Sequence, residues 1–447
     1  MRLLLFAIAL LPFYVRAESF WLVTDFHMDS HYTGYVDSSQ PKNCWAQKGS
    51  APPQTFGRYG CDPNMELVNL FTGSMKTIDP KPSFILLNGD FCGHDISSGE
   101  KFDTVRTVYQ SYAQSFPNVP LLPSLGNDDA LDNYQLACGP NNDYYNKLSE
   151  VFNATGMTFQ TSDDMATFQR GGYYSYSPLP NLRIIVLNTV LYSPSNRNFD
   201  TSRDSDPCGQ FAWLQTTMAK AQQKGESVVV MAHIPPTDNG YDSQFLWRDA
   251  YADRWFSLLS ANRQIPLSIF GHLHHDGWVL LRPSDVHALA VRVGRIPANA
   301  PAPNRADDVP FHAHLYAPSV TPSQGNNPGI RRFTLAQDGA SKWLVGDYNQ
   351  YFLDIERAYF MNKTALTLGY SISDHLRPTE VKIGLGPVAF TTLAMQMASN
   401  ARIYAEWSMR HEVYSSLKQH QYLCAMMHSS REQYNQCVAT YGGAAMM

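Results

Sequence analysis

Histidine, aspartate and asparagine recur along this chain in short groups, each directly after an apolar run of strand length. Two divalent cations about 3.5–4 Å apart can share a carboxylate and clamp both the attacking and the leaving oxygen of a phosphoryl displacement. Such a site needs oxygen ligands and neutral imidazoles that converge from several strands. The groups that offer them are Asp25-Phe26-His27, Asn88-Gly89-Asp90, Gly126-Asn127, Ala232-His233 and Gly271-His272-Leu273-His274.

Two of these groups hold a pair of ligand-type residues at a spacing of two: Asp25 with His27, and His272 with His274. In extended backbone, residues two apart point to the same side, so each pair is expected to face one site. Taken alone, each group is more often an ordinary loop than a metal site. Because all the groups follow strand-length runs, they together predict a two-metal centre.

Strand-length apolar runs precede the polar groups and are separated by helix-length stretches. The runs occupy residues 20–24, 84–87, 121–125, 183–187, 227–231 and 266–270. In residues 65–77 and 101–115 the apolar positions recur every three or four residues, which is typical of helices. The alternation predicts a layered α/β domain, in which ligands collect beyond the carboxyl ends of the strands.

The second half of the chain predicts the remaining domain organisation. Between residues 278 and 353 the pattern changes to short strands and turns, with a loop-like stretch at 297–310, so we expect the second half of a sandwich there. After Asp354 the pattern becomes helical. We therefore expect a catalytic domain at 18–355 and a C-terminal helical subdomain at 356–447.

The N-terminal residues predict export. Arg2 is followed by an apolar run at residues 3–15, and Ala17 suits a signal peptidase. This run of about 13 residues is short against the roughly 20 that span a bilayer. We expect residues 1–17 to be a cleaved signal and the protein to be secreted or lumenal, including endolysosomal compartments. Asn153 and Asn362 stand in glycosylation sequons, in agreement with this.

The chain has seven cysteines, which suits an oxidising compartment. Four of them are close enough in sequence to close short loops, and two more could form a long-range pair. The expected pairs are Cys44 with Cys61, Cys424 with Cys437, and Cys138 with Cys208. Sequence alone does not fix this connectivity. Cys92 is left over, and we interpret it as a buried thiol that behaves as a small hydrophobic residue.

Composition and charge restrict the partners. Hydrophobic residues make up 44% of the chain and charged residues 16%, which is typical of a globular protein. The net charge of -5 gives no basic field that could hold a nucleic acid by counterion release. We expect a monomer that does not bind nucleic acid.

The order Asp-x-His, Gly-Asp, Gly-Asn, His and Gly-His-x-His is similar to the motif set of the calcineurin-like metallophosphoesterases. A narrower resemblance, to the acid sphingomyelinase-like phosphodiesterases, covers nearly the whole chain after the signal. It rests on Phe-Gly-Arg-Tyr-Gly-Cys-Asp at 56–62, Asn-Gly-Asp-Phe-Cys-Gly-His-Asp at 88–95, and Ala-Pro-Ser-Val-Thr-Pro at 317–322 followed by Asn-Pro-Gly at 327–329. The resemblance implies a four-layer α/β/β/α sandwich.

The resemblance also implies two divalent metal ions and a role for each ligand. Zinc is the expected metal, with manganese, magnesium and iron as alternatives. A hydroxide held between the cations would attack phosphorus. The implied ligands are Asp25, His27 and His274 for the first metal, Asn127, His233 and His272 for the second, and Asp90 as the bridge.

Two further residues are candidates for catalysis, His94 and Asp128. His94 matches a family histidine that contacts the substrate phosphate. Many relatives have Gly-Asn-His where this chain has Gly126-Asn127-Asp128, and that histidine protonates the leaving group. Because two dications nearby should keep Asp128 ionised, it is a poor general acid. We expect leaving groups of low pKa to be favoured, with assistance from a protonated His94.

The expected function is a phosphodiesterase that acts on phosphocholine-type lipids such as sphingomyelin, or on nucleotides. An endopolyphosphatase or pyrophosphatase would use the same metals, and a basic cluster near them would favour it. A non-catalytic secreted binding protein is the alternative of a different class, disfavoured because all seven ligands are present. Action on lipid would need peripheral membrane contact, for which residues 390–397 are a candidate, although packing of that helix on the catalytic domain is the favoured interpretation.

Overall fold

The computed structural model describes most of the chain. The described residues are 17–35, 44–46, 54–139, 143–155, 158–238, 245–338, 341–361, 364–376, 384–400, 403 and 436. The signal residues 1–16, the sequon residue Asn362 and the pair Cys424 and Cys437 lie outside them. Those predictions stay predictions.

The strands of the described residues form two six-stranded mixed sheets. The strands are β1 (Glu18–Val23), β2 (Phe84–Asn88), β3 (Leu121–Ser124), β4 (Tyr174–Leu179), β5 (Leu182–Leu187), β6 (Ser227–Ala232), β7 (Leu267–Phe270), β8 (Gly277–Leu281), β9 (His312–Tyr316), β10 (Gly329–Gln337), β11 (Trp343–Phe352) and β12 (Thr367–Ser371). The first sheet has the order β12-β11-β10-β1-β2-β3, and the second β4-β5-β6-β7-β9-β8. Contacts such as that of Arg331 Nη1 with the Tyr316 carbonyl, 3.4 Å, join the two sheets directly.

Helices pack against both sheets. The α-helices of the described residues are α1 (Met65–Ile78), α2 (Lys101–Ser115), α3 (Asp143–Phe152), α4 (Ser162–Gly171), α5 (Gln210–Gln223), α6 (Asp249–Ala261), α7 (Pro283–Arg292), α8 (Ile355–Met361) and α9 (Pro387–Ser399). Helix α5 contacts β6 and α9 contacts β8 of the second sheet. The buried faces of α1 and α2 belong to the same core as β1 and β2 of the first sheet. The architecture is the layered α/β fold that the sequence predicted, in the α/β/β/α form that the resemblance implied.

The strands that lead to the polar groups lie side by side. In the first sheet β1 pairs in parallel with β2, and β2 with β3. In the second sheet β6 and β7 are parallel neighbours. Strand β1 is buried from Ser19 to Val23 without alternation, as expected of a central strand covered on both faces. The six predicted strands and the two predicted helices are confirmed, and the carboxyl ends of five of these strands, β1, β2, β3, β6 and β7, carry the ligand motifs.

The chain after residue 278 differs in three ways from the prediction. Helix α7 was missed, although Pro283 at its first position and Asp285 in its first turn are helix-start signals. Only β8 and β9 complete the second sheet, because β10 returns to pair with β1 in the first. Strand β12 pairs with β11, so the sheet extends beyond residue 355, where the predicted catalytic domain ended. Local alternation does not report which sheet a strand joins.

Helix α9 packs on the catalytic domain. Phe390 and Leu393 are buried, and the Phe390 ring lies 5.1 Å from that of Trp278 in β8. This supports the packing interpretation of residues 390–397 over a membrane patch. Within the described part of the chain, no helix has the length and apolar character needed to cross a membrane.

Two of the three expected disulfides join described residues. Cys44 is bonded to Cys61, and Cys138 to Cys208. Cys92 is fully buried, and its Sγ lies 3.5 Å from the Lys101 carbonyl. These contacts agree with its interpretation as a structural thiol.

Candidate metal centre

A first group of ligands comes from the loops after β1 and β7. One ligand atom from each of Asp25, His27 and His274 lies within 4.8 Å of the others. His274 Nε2 is 3.2 Å from His27 Nε2 and 3.4 Å from Asp25 Oδ1. All three side chains are buried. Two imidazoles and a carboxylate at these distances can hold one cation.

A second group comes from the loops after β2, β6 and β7. Asp90, His233 and His272 also bring ligand atoms within 4.8 Å of one another. His233 Nε2 lies 3.0 Å from Asp90 Oδ2, and the same oxygen lies 3.4 Å from Nε2 of His27 in the first group. Asp90 therefore stands between the two groups, where a bridging carboxylate is needed.

The buried polar atoms of these residues fit cations. Asn127 Oδ1 is buried and has no hydrogen-bond partner, and the buried His233 Nε2 faces the Asp90 carboxylate at 3.0 Å. His233 Nδ1 pairs with the Asn88 carbonyl at 2.7 Å, so Nε2 is the nitrogen that faces the carboxylates. A metal-binding histidine usually donates its other ring N–H to such an acceptor. Imidazole suits zinc, and the carboxylate and amide oxygens also accommodate manganese, magnesium or iron.

The charge states of the histidines follow from burial and from their neighbours. Burial and the nearby His94 lower the pKa of His27 to about 3, and burial with His233 lowers that of His272 to about 4. Both imidazoles are thus neutral, which is the metal-binding form. Burial also opposes charge on His233, but Asp90 and Asp25 outweigh it and raise its pKa to about 10. A cation between His233 and these carboxylates would replace that proton.

The backbone of the ligand loops is left-handed at five ligand positions. Asp25 (φ 53°), His27 (φ 43°), Asp90 (φ 50°), His272 (φ 69°) and His274 (φ 61°) all have positive φ. Such conformations cost on the order of 1–3 kcal/mol each and cluster at functional sites. The prediction that the two pairs face one site through extended backbone is therefore wrong in its geometry. The side chains of Asp25 and His27, and those of His272 and His274, reach the site because the backbone is left-handed at both residues of each pair.

The glycines of the ligand motifs, Gly89, Gly126 and Gly271, are required because neighbouring atoms leave no room for a Cβ. A Cβ on Gly126 would overlap the Asp90 carboxylate, and one on Gly271 would lie 2.7 Å from Asp25 Oδ2. A Cβ on Gly89, whose φ is +77°, would lie 2.9 Å from His233 Nδ1. Each glycine therefore lets one ligand loop approach the next.

Comparisons with known proteins agree with this geometry. Residues 19–276 match the family model of the calcineurin-like phosphoesterases. The chain belongs to this family. The resemblance to this family rested on the seven candidate ligands of the chain, which follow its strand ends.

Curated relatives of this phosphoesterase bear out the narrower resemblance. A sphingomyelinase phosphodiesterase D of Dictyostelium discoideum is 29% identical over 350 residues, which are 78% of this chain and 73% of that protein. A cyclic GMP-AMP phosphodiesterase of Rattus norvegicus is 26% identical over 85% of this chain and 80% of its own. The acid sphingomyelinase-like phosphodiesterase 3b of Mus musculus is 27% identical over 95% of this chain and 90% of its own.

His94 of this phosphoesterase lies against the first ligand group. Its ring stacks on that of His27 with the centroids 4.0 Å apart. Asp62 Oδ2 accepts a hydrogen bond from His94 N at 2.7 Å and pairs with His94 Nδ1 at 2.8 Å. Burial opposes the charge of His94, but Asp62 outweighs it and raises its pKa to about 10. Asp62 lies 32 residues before His94, so no local pattern in the sequence links the two.

Asp128 lies in the centre as predicted, in contact with the second ligand group. Its backbone N–H donates to Asp90 Oδ1 at 2.8 Å, and its carboxylate is buried. Burial and the charge of Asp90 raise the pKa of Asp128 to about 8 in the protein without cations. A dication beside Asp90 would act in the opposite direction.

Asp129 holds the candidate ligand loops together, which the sequence did not predict. Its carboxylate accepts hydrogen bonds from the backbone N–H groups of Asp90 (3.0 Å), Phe91 (2.7 Å), Cys92 (3.3 Å) and Gly126 (2.9 Å). It thereby ties the loop after β2 to the loop after β3. The sequence offers a second acidic residue after Gly-Asn-Asp, but nothing in the pattern separates it from a solvated loop aspartate.

Proposed function

We propose that this phosphoesterase is a secreted or lumenal phosphodiesterase that uses two divalent cations to hydrolyse small phosphodiesters, either phosphocholine-type lipids or nucleotides. The observation that carries the proposal is the position of the Asp90 carboxylate between the two ligand groups. The printed names of the relatives, which include sphingomyelinase and cyclic GMP-AMP phosphodiesterases, support the substrate classes. Two disulfides support an oxidising compartment.

The residues around the centre suggest how each would contribute. A cation pair, when bound, supplies positive charge at the phosphoryl oxygens and lowers the pKa of water. Asp90 would bridge the two cations. The Asn88 carbonyl orients the His233 ring so that its Nε2 can bind a cation. His94 is oriented by Asp62 through Nδ1, so its Nε2 is left to contact a substrate oxygen.

A polyphosphatase is supported less well. Such an enzyme would hold its polyanion with basic side chains near the metals. Lys101 approaches the loop after β3, but it is buried and its Nζ donates to the Asp128 and Ala130 carbonyls at 2.6 Å each. This ammonium is thus engaged in holding the loop rather than in binding a substrate.

A substrate panel tests the proposal. We would measure hydrolysis of bis-p-nitrophenyl phosphate, ATP, CDP-choline, sphingomyelin and polyphosphate at about pH 5 and about pH 7.5 with zinc, manganese or magnesium, beside His233→Ala. Turnover of a diester that the substitution abolishes is the expected result, and the preferred substrate names the class. No turnover by folded, metal-loaded protein would instead favour the non-catalytic binding protein.

We also expect the rate to depend on the leaving group. With aspartate at position 128, poor leaving groups have only His94 to assist them, so rates in a series of aryl and alkyl diesters should fall as leaving-group pKa rises, and more steeply in His94→Gln than in the wild type. His94→Gln should slow the alkyl esters by about 10²–10⁴-fold and the nitrophenyl ester much less. A flat dependence in the wild type that persists in His94→Gln would show that another acid is present.

A further inference from the structure

We propose that Asp128 is a positioning residue, which together with Asn133 fixes the Asn127 amide so that its oxygen faces the metal pair. The inference rests on the proposed two-metal function and assigns Asp128 a role other than proton transfer. It concerns the position at which this chain departs from the Gly-Asn-His pattern.

The hydrogen bonds of the Asn127 amide determine its orientation. Nδ2 carries two hydrogens, and it donates to Asp128 Oδ2 at 3.0 Å and to Asn133 Oδ1 at 3.1 Å. Oδ1 is buried and has no hydrogen-bond partner. A flipped amide would place Oδ1 against two acceptor oxygens. Nearby cations keep Asp128 ionised, and an ionised carboxylate only accepts hydrogen bonds, so Asp128 then excludes that flip and leaves Oδ1 to ligate a cation.

Asp128 also contacts ligands on its other sides. Its backbone N–H donates to Asp90 Oδ1 at 2.8 Å, and its carboxylate lies 4.0 Å from His27 Nδ1, a buried nitrogen without a hydrogen-bond partner. Lys101 Nζ holds the Asp128 carbonyl at 2.6 Å. One residue thus touches both the proposed bridge and a proposed second-metal ligand, and residues in this position typically change metal affinity 10–100-fold when altered.

Asparagine and alanine at position 128 separate a positioning role from an acid role. Asparagine keeps an oxygen that can accept from Asn127 Nδ2, but it has no proton to give to a leaving group. Alanine removes the acceptor as well. Asp132 offers a matched control, since it belongs to the same loop but is exposed and pairs with Arg197 at 3.5 Å.

The test measures metal affinity rather than turnover. Zinc and manganese dissociation constants of full-length wild type, Asp128→Ala, Asp128→Asn, Asn133→Ala and Asp132→Ala would be determined by chelator competition. We expect Asp128→Ala to weaken the weaker-bound metal about 10–100-fold, and Asn133→Ala to weaken it by a smaller factor. Asp128→Asn should stay within about threefold of wild type, as should Asp132→Ala.

Retention of both metals at wild-type affinity by Asp128→Ala would overturn the proposal, whatever happens to turnover. Loss of turnover with unchanged affinity in Asp128→Asn and Asp128→Ala alike would point to an acid role. If Asp128→Ala does not fold, Asn133→Ala supplies the test instead. Unchanged metal affinity in that variant would contradict the proposed fixing of the Asn127 amide. Wild-type protein that binds no metal pair would refute the two-metal function itself. This outcome is distinct from failure of the Asp128 proposal, in which the wild type binds both metals and Asp128→Ala binds them equally well.

Discussion

Replacing His274 with alanine is expected to lower phosphodiester turnover by about 1,000-fold or more, while replacing the adjacent His275 costs less than about tenfold. The two residues are neighbours of the same type in one loop, but only His274 belongs to a ligand group. The Nδ1 atom of His275 instead pairs with the Leu273 carbonyl at 2.7 Å. The comparison therefore separates loss of a ligand from disturbance of the loop.

The size of the effect follows from what a bound cation contributes. Charge stabilisation by a metal ion at a phosphoryl group is worth several kcal/mol. Since about 1.4 kcal/mol corresponds to a tenfold change in rate, loss of about 4 kcal/mol corresponds to about 1,000-fold. The measurements are kcat/KM with bis-p-nitrophenyl phosphate and the metal content of each purified variant. Equal losses in both variants would mean that the assignment of His274 is wrong.

The second large effect is expected on stability. Arg331→Met should lower the free energy of unfolding by about 3–5 kcal/mol, because it leaves a buried carboxylate without its cation. Arg331 is fully buried, and its Nη2 lies 2.5 Å from Asp276 Oδ1. Its guanidinium also covers the Tyr348 ring at 4.0 Å and donates through Nε to Gln350 Oε1 at 2.9 Å. The ion pair connects β10 of the first sheet to the loop before β8 of the second.

Arg332, the next residue, is the matched control. It pairs with Asp79 at 2.7 Å, but its side chain is partly exposed, so Arg332→Met should cost at most about 1 kcal/mol. Urea unfolding of both variants at equal metal loading measures the difference. The double variant Arg331→Met/Asp276→Leu should recover part of the loss, since the cost comes from the buried carboxylate left without its cation. Similar losses for Arg331→Met and Arg332→Met would contradict this account.

The sequence by itself predicted the candidate ligands and determined the strands that carry them. Apolar runs of strand length are visible because burial on both faces excludes polar residues, and the polar groups begin where each run ends. Asp25, Asp90 and His233 can therefore be placed at strand ends from the order of residues alone. The motif glycines belong to the same local pattern. The α/β class also follows from local alternation, since alternation is a property of neighbouring residues.

Tertiary structure decided which polar residues meet. Asp62 and His94 lie 32 residues apart and Arg331 lies 55 residues after Asp276, and no local pattern joins either pair. The left-handed turns at the candidate ligands and the contacts of Asp129 likewise depend on how loops from different strands approach one another. A lone aspartate or asparagine carries no periodicity, so its partner is fixed only once the chain has folded.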